Sequence, residues 1–164
     1  MEIEKRFLVN SNSIINKITK EYHKKEIIQD YLYVDKYTAI RKRKINEKYI
    51  YTLKTMKTGI SVNEFEKEIT KEEYESLKIN ENFYTLTKDR YIIPYLDNLK
   101  IEIDIFHGIY EGIIFAEIEF KDEKQAKEIK LPEWFGKDIS TLITNSQMAT
   151  KNMKDEIENL KKCD

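Results

Sequence analysis

One cysteine, two prolines and four glycines occur in 164 residues, and each shortage excludes something. Cys163 has no partner within the chain, so no intramolecular disulfide can form, which fits a reducing cytosol. No Pro/Gly-rich linker marks a domain boundary, and neither an internal repeat nor a low-complexity stretch appears. The opening residues hold no signal-type apolar stretch, and no apolar run approaches the roughly 18 residues that would span a bilayer. Net charge is missing too: 29 Lys plus Arg stand against 30 Asp plus Glu. There is therefore no broad basic field for nucleic acid and no acidic tail. The two histidines, His23 and His107, are far apart and belong to no metal-spaced set. Gly108 and Gly112 read as turn residues, since no Walker or Rossmann fingerprint surrounds them. No heptad is sustained long enough for a coiled-coil dimer. The expectation is a soluble cytoplasmic protein, one domain over 1–164, monomer or homodimer, with no nucleic-acid or membrane partner.

Charged residues are abundant, at 36% of the chain against 40% hydrophobic, so their placement carries the information. Strand-like alternation is expected over 2–9, 26–34, 38–45, 48–55, 61–69, 88–95, 99–106 and 112–120, supported by Tyr, Ile and Phe enrichment. The glycines of "HGIYEG" provide a connection between the last two strands, which predicts antiparallel pairing there. Helical patterns begin after Ser11 or Ser13, after Thr70 and near Asp122, and a longer one closes the chain at about 145–162. The start at Thr70 is the clearest, because Thr70 and Glu73 have capping-box spacing. Trp134 and Phe135, following Pro132, are expected to anchor a loop on the sheet.

Alternation sorts each strand into two faces. In "LKIEIDIF", Leu99, Ile101, Ile103 and Ile105 oppose Lys100, Glu102 and Asp104. In "IIFAEIEF", Ile114, Ala116, Ile118 and Phe120 oppose Phe115, Glu117 and Glu119. The opening "MEIEKRFLV" aligns Glu2, Glu4 and Arg6. Elsewhere Glu64, Glu66 and Glu68 align, as do Arg41 with Arg43, Thr52 with Lys54, and Lys88 with Arg90. A solvated face accounts for any one of these strands. Taken together they segregate sign by strand, and like charges side by side on a sheet repel, so a compensating ligand is implied. Closing about eight strands into a barrel would turn the charged face into a lumen, with acids for metal and bases for anion.

The same residues carry a resemblance. "EIEKR" resembles the N-terminal ExExK signature of the CYTH superfamily, the triphosphate tunnel metalloenzymes. "QDYL", "RKR", "YTLK", "EFEKEI", "KDRY", "EID", "AEIEF" and "LPEWFG" follow in that family's order, from Glu2 to about Ala149. The resemblance implies a mainly β (α+β) fold: a closed eight-stranded antiparallel tunnel with flanking helices that takes a triphosphate with Mg²⁺ or Mn²⁺. It implies metal ligation by Glu2, Glu4, Asp104, Glu117 and Glu119, with Glu66 and Glu68 from the neighbouring wall. Arg6, Arg41, Arg43, Lys54, Lys88 and Arg90 would grip phosphate. Glu64 and Glu102, nearer strand ends, rank low, being as well explained by solvent or by pairing with Lys100.

Cationic donors suit such a substrate, because arginine offers a planar fork for two phosphate oxygens and lysine a point charge. Carboxylates are the oxygen ligands that magnesium and manganese prefer. The expected reaction is hydrolysis of inorganic tripolyphosphate to pyrophosphate and phosphate. The alternatives are a class IV adenylate cyclase, an organic triphosphatase acting on thiamine triphosphate or a nucleotide, and a non-catalytic polyphosphate-binding module. The sequence departs from the family at Arg6, where lysine is expected. Arginine keeps its proton at ordinary pH, so the proton acceptor would be Tyr31, matched in "QDYL", with Arg6, Glu4 and Glu117 completing the catalytic set. From the resemblance alone, Arg6→Lys would be expected to raise turnover.

Overall fold

The computed structural model describes residues 2–56 and 61–162; Cys163 lies outside them. Among the described residues there are eight strands: β1 (Glu2–Leu8), β2 (Lys25–Val34), β3 (Thr38–Ile45), β4 (Lys48–Met56), β5 (Ser61–Ile69), β6 (Leu86–Pro94), β7 (Lys100–Phe106) and β8 (Ile114–Phe120). They form a closed barrel in the order β1-β5-β4-β3-β2-β6-β7-β8, every neighbouring pair antiparallel. This is the architecture expected from the alternation. Closure removes the sheet edges that an open eight-stranded sheet would present.

Short helices decorate the barrel: α1 (Asn12–Glu21), α2 (Lys71–Ser76), α3 (Glu123–Glu128), α4 (Asn145–Thr150) and α5 (Lys154–Lys161). Each of the first four starts on a side-chain cap. Ser11 and Asp122 accept a backbone N–H of α1 and α3, while Thr70 with Glu73 and Thr144 with Gln147 form full capping boxes. The single long helix expected at 145–162 is two helices. The hydroxyl of buried Tyr110 occupies the break, 2.6 Å from Met148 O and 3.0 Å from Lys151 O, and accepts from Met153 N at 3.0 Å. One phenol thus satisfies backbone groups that a continuous helix would have satisfied itself. The "HGIYEG" connection that supplies Tyr110 is a 3₁₀ turn flanked by Gly108 and Gly112 at φ 65° and 90°, a region that favours glycine.

Two apolar cores position everything else. One lies on the outer wall, where Ile3, Phe7, Ile101, Ile103, Ile118 and Phe120 are covered by Ile14, Ile15 and Ile18 of α1, Ala126 of α3, and Trp134 with Phe135. Phe135 stacks 4.7 Å from Phe7, so the "LPEWFG" segment is anchored on the sheet as expected. The other core sits where the inward-facing parity of the strands turns apolar: Leu8, Tyr31, Ala39, Leu86, Phe106 and Phe115 pack against Ile139, Ile143, Met148, Met153 and Ile157. The C-terminal segment therefore plugs one end of the barrel, each fully buried aliphatic side chain contributing about 1.5–3 kcal/mol.

The plug is fastened to β1. Among the described residues β1 pairs with β5 through Glu2↔Val62 and Ile3↔Ser61. From Arg6 to Leu8 its backbone is bonded by 136–140: Gly136 N donates to Leu8 O (2.7 Å), Leu8 N to Lys137 O (3.0 Å), Ile139 N to Arg6 O (2.8 Å), and Arg6 N to Ser140 Oγ (3.0 Å). A Cβ on Gly136 would stand 2.7 Å from Leu8 O, a backbone atom that cannot swing away. Gly136→Ala is therefore expected to destabilise the fold by about 1–3 kcal/mol, read as a lowered thermal midpoint; an unchanged midpoint would show that the seam is soft.

Candidate functional site

Inside the barrel, beyond the plug, lies a cavity of about 230 Å³ lined by seven carboxylates, five cations, Ile45 and Asn145. The carboxylates are Glu2, Glu4, Glu64, Glu66, Glu102, Glu117 and Glu119; the cations are Arg6, Arg41, Arg43, Lys54 and Arg90. Grooves of about 460 and 390 Å³ are larger but gather no comparable set of cations; the first adjoins the cavity through Glu102 and Glu119. The cavity is smaller than the roughly 300–1,000 Å³ of pockets that bury drug-sized ligands, and its polarity suits a small anion with its counter-ions.

Strand pairing explains the assembly. Arg6 pairs with Glu117 across β1 and β8, Arg90 with Asp104 across β6 and β7, Lys54 with Glu64 and Thr52 with Glu66 across β4 and β5. Most of the cations are spent on these partners. Arg6 sends Nε (3.1 Å) and Nη2 (2.8 Å) to Glu117 Oε1 and Nη1 to Ile143 O (3.0 Å). Arg90 holds Asp104 through Nε (2.7 Å) and Nη2 (2.9 Å), and Glu102 through Nη1 (2.8 Å). Lys54 Nζ bonds Glu2 at 3.1 Å; Glu64 Oε2, 3.5 Å away, is within ion-pair range but outside hydrogen-bond geometry. Arg43 Nη2 holds Glu66 at 2.8 Å while its Nε has no partner among the described residues.

Arg41 differs. It is 7% exposed, and among the described residues it makes no ion pair and no side-chain hydrogen bond, its buried Nε being unsatisfied. A buried guanidinium without a counter-charge is unfavourable by several kcal/mol unless something supplies one. Beside it, burial first and then Arg41 itself lower Arg43 to about 10.

The acids are perturbed in opposite directions. Burial, followed by the neighbouring Glu64, raises Glu2 to about 8. Burial and then Glu117 raise Glu4 to about 7. Burial also pushes Glu117 upward, but Arg6 overrides it and holds the group at about 2. Among the described residues seven acids face five bases, and the raised values of Glu2 and Glu4 go with that excess of carboxylates.

Several expected site residues stand elsewhere. Lys88 and Asp104 have fully buried side chains, bonded to each other at 2.8 Å, and are absent from the cavity lining. Asp104 accepts three bonds, from Arg90 Nε at Oδ1 and from Lys88 Nζ and Arg90 Nη2 at Oδ2, so its charge is already shared by two cations. Tyr31 is buried in the plug core and its hydroxyl accepts from Gln29 Nε2 at 3.2 Å; it lies opposite Arg41 in the register without lining the cavity. Glu68 is exposed on β5, opposite Ile50 and away from the lining. Conversely Glu64 and Glu102, ranked low from the sequence, line the cavity, and Glu102 pairs with Arg90 rather than Lys100. Their position on the same strand parity as their neighbours was the available signal. Asn145 had none, because it arrives from the plug.

The donor set fits a divalent cation: Glu2, Glu4, Glu64 and Glu119 are hard oxygen ligands in one cavity, and the raised values of Glu2 and Glu4 are ones that a bound cation would lower. Among the described residues no three acids stand at ligating spacing, so an ion would draw these side chains together. The geometry of Arg6 reverses the expectation from resemblance. Lysine cannot reach Glu117 and the Ile143 carbonyl with separate forked donors, so Arg6→Lys is expected to destabilise the protein by about 1–3 kcal/mol and to lower activity. Urea unfolding checks the first, and a variant as stable and as active as wild type would contradict both.

Residues 1–154 match the CYTH domain. The chain is 33% identical over 140 residues to an inorganic triphosphatase of Acetivibrio thermocellus, covering 85% of each. It is 29% identical over 140 residues to an inorganic triphosphatase of Nitrosomonas europaea, covering 85% of this chain and 89% of that one. A crystal structure of an inorganic triphosphatase superposes with a TM-score of 0.64 at 28% identity, covering 92% of this chain and 95% of that one. With the family match spanning nearly the whole barrel and plug, the chain belongs to the CYTH domain family.

Proposed function

We propose that this protein hydrolyses a triphosphate inside the barrel, with inorganic tripolyphosphate as substrate and Mg²⁺ or Mn²⁺ as cofactor. The observation that carries the reading is Arg41, a buried cation that makes no ion pair and no side-chain hydrogen bond among the described residues. Similarity to relatives described as inorganic triphosphatases supports the reaction class. The small cavity and the absence of an aromatic side chain from its lining favour an inorganic chain over a nucleotide.

Arg41, Arg43 and Lys54 would bind the phosphate oxygens. Arg90, held in a fixed orientation by Asp104 and Glu102, contributes positive field beside them. Phosphoryl transfer depends chiefly on alignment and on charge placed where the leaving oxygen gains it, so a pre-set array of cations acts without reorganising. Glu2, Glu4, Glu64 and Glu119 would hold the divalent ion. When bound, that ion neutralises phosphate charge and makes a coordinated water more acidic. Tripolyphosphate brings roughly four to five negative charges near neutral pH into a cavity already richer in acids than bases, so this substrate enters only with cations. Arg6 fixes Glu117, and Lys88 with Asp104 fixes Arg90; these are positioning roles. Tyr31 lies opposite Arg41 in the β2–β3 register, within the plug core.

The direct test is phosphate release from tripolyphosphate, ATP and thiamine triphosphate with Mg²⁺, Mn²⁺ or chelator, with products separated by chromatography. Chelator-sensitive release from tripolyphosphate is expected. Cyclic AMP from ATP would move the assignment to a cyclase, and binding without turnover to a carrier. Arg41→Ala is expected to weaken tripolyphosphate binding about 10–100-fold, the range for a hydrogen bond to a charged group.

A pH dependence follows from Glu2 and Glu4. Their raised values favour the folded state fully below the unfolded carboxyl pKa of about 4.3, and that contribution is lost as pH rises through about 7 and about 8. A divalent ion binds the deprotonated acids, so the rise in thermal midpoint produced by Mn²⁺ is expected to be larger at pH 8 than at pH 6. A pH-independent rise would remove these two acids from the metal site.

A further inference from the structure

Because the plug fills one end of the barrel, the lumen opens at the other, and the side chains that lead out to it can be followed strand by strand. On β7, Asp104 is buried, Glu102 half-buried and Lys100 exposed; on β8 and just beyond it, Glu117 is buried while Glu119 and Lys121 are exposed. Alternation puts all six on the parity that faces the lumen, so Lys100 and Lys121 are its outermost positions. The groove of about 460 Å³ lies there. It is lined by both lysines together with Asn98 and Ile92, and it shares Glu102 and Glu119 with the cavity. Glu102 is already held by Arg90 at 2.8 Å, whereas neither lysine has an ion-pair partner among the described residues. The groove of about 390 Å³ beyond Lys121 is lined by Asp97, Asp122 and Glu128 against Lys121 and Lys124. Positive charge free to meet an anion is therefore found in the first groove and not in the second.

Resting on the reading above, we propose that this groove is an outer subsite for linear polyphosphates longer than three phosphates, whose inner end occupies the cavity while the following phosphates lie along Lys100 and Lys121. An inorganic chain repeats the same charged unit, and lysine, a hydrated point charge on a flexible stem, suits phosphates that are still partly in water. Glu119 lines both spaces, and the divalent ion assigned to it offsets its charge where the chain passes. The closed end then sets the order of events on a long chain. The water oxygen bonds to the phosphorus of the inner terminal group, and the bridging P–O bond breaks with its electron pair leaving on the shortened chain. Of the two water protons, one stays on orthophosphate and the other goes to the shortened chain or to solvent. Orthophosphate is left between the plug and that chain, so the chain withdraws before the product escapes. Trimming is thus distributive, one phosphate for each binding event.

The test is steady-state hydrolysis of tripolyphosphate, tetrapolyphosphate and a size-fractionated longer polyphosphate, in saturating Mg²⁺ or Mn²⁺, by wild type and by the double variant Lys100→Ala/Lys121→Ala, with chain lengths resolved on gels. Both lysines are exposed, so the variant keeps the fold. Wild type is expected to shorten the longer chains through a ladder of intermediates that differ by one phosphate. The double variant is expected to raise KM for the longer polyphosphate about three- to tenfold, the effect of losing two exposed charge pairs, while kcat and KM for tripolyphosphate stay at the wild-type values. A KM raised equally for short and long chains, or for neither, would overturn the outer subsite. Long chains consumed without intermediates would overturn the closed-end order of events. Hydrolysis of tripolyphosphate with longer chains left intact would overturn the whole extension and leave the triphosphatase reading standing. No turnover of any of the three by wild type would overturn both readings.

Discussion

Closing the sheet places every second side chain of eight strands out of bulk water, and about half of those side chains here are charged. All else depends on how that charge is neutralised. The Arg6–Glu117 pair and the Lys88–Asp104–Arg90–Glu102 chain are saturated, each guanidinium using all three of its nitrogens. Buried pairs of this kind contribute little net stability, since desolvation offsets most of the attraction, but removing one partner is strongly destabilising. They act as rigid walls. Against those walls stand groups less fully neutralised: Arg41 Nε and Glu64 Oε2 without a hydrogen bond among the described residues, and Glu2 and Glu4 with raised pKa values. Saturated pairs on one side and unsatisfied charge on the other separate scaffold from site within a single lumen.

The plug turns this lumen into a site with a direction. Apolar inward residues such as Leu8, Leu86, Phe106 and Phe115 need cover, and the chain after β8 provides it with Ile139, Ile143 and Met148. The chain leading into that cover also bonds the backbone of β1 from Arg6 to Leu8. A purely strand-built barrel would be lined only by residues of alternating parity; this one admits Asn145 because the segment bonded to β1 leads into the helix that plugs the barrel. The stabilisation of the fold and the composition of the cavity therefore share one cause. No helix among the described residues is long and apolar enough to cross a membrane, and each helix is accounted for by the barrel surface or end it covers.

How much of this was readable from sequence depends on the range of the interaction. Parity is local, so β1–β8 and the two-faced sorting of Glu2, Glu4, Arg6, Arg41 and Glu117 follow from alternation alone. Capping is local as well, and Thr70 with Glu73 announced α2. Depth along the tunnel is not local. Lys88 and Arg90 share a face, yet only Arg90 reaches the cavity, because the plug begins at the level of Phe106, the cross-strand partner of Lys88. Tyr31 fell beneath the plug for the same reason. The break between α4 and α5 depends on Tyr110, some forty residues earlier in a turn whose glycines were legible but whose tyrosine looked incidental.

Arg6 shows how a departure from a family pattern is decided by its surroundings. By resemblance it stands where lysine is expected. Its three nitrogens instead join β8 to the carbonyl of Ile143, and its ring-facing side lies 5.2 Å from the Phe115 centroid. An ammonium has no fork to bridge a carboxylate and a carbonyl at once while stacking on an aromatic face. The arginine therefore belongs with the plug as much as with the phosphate site: it fixes the level at which the tunnel ends, and so the level at which Asn145 enters it.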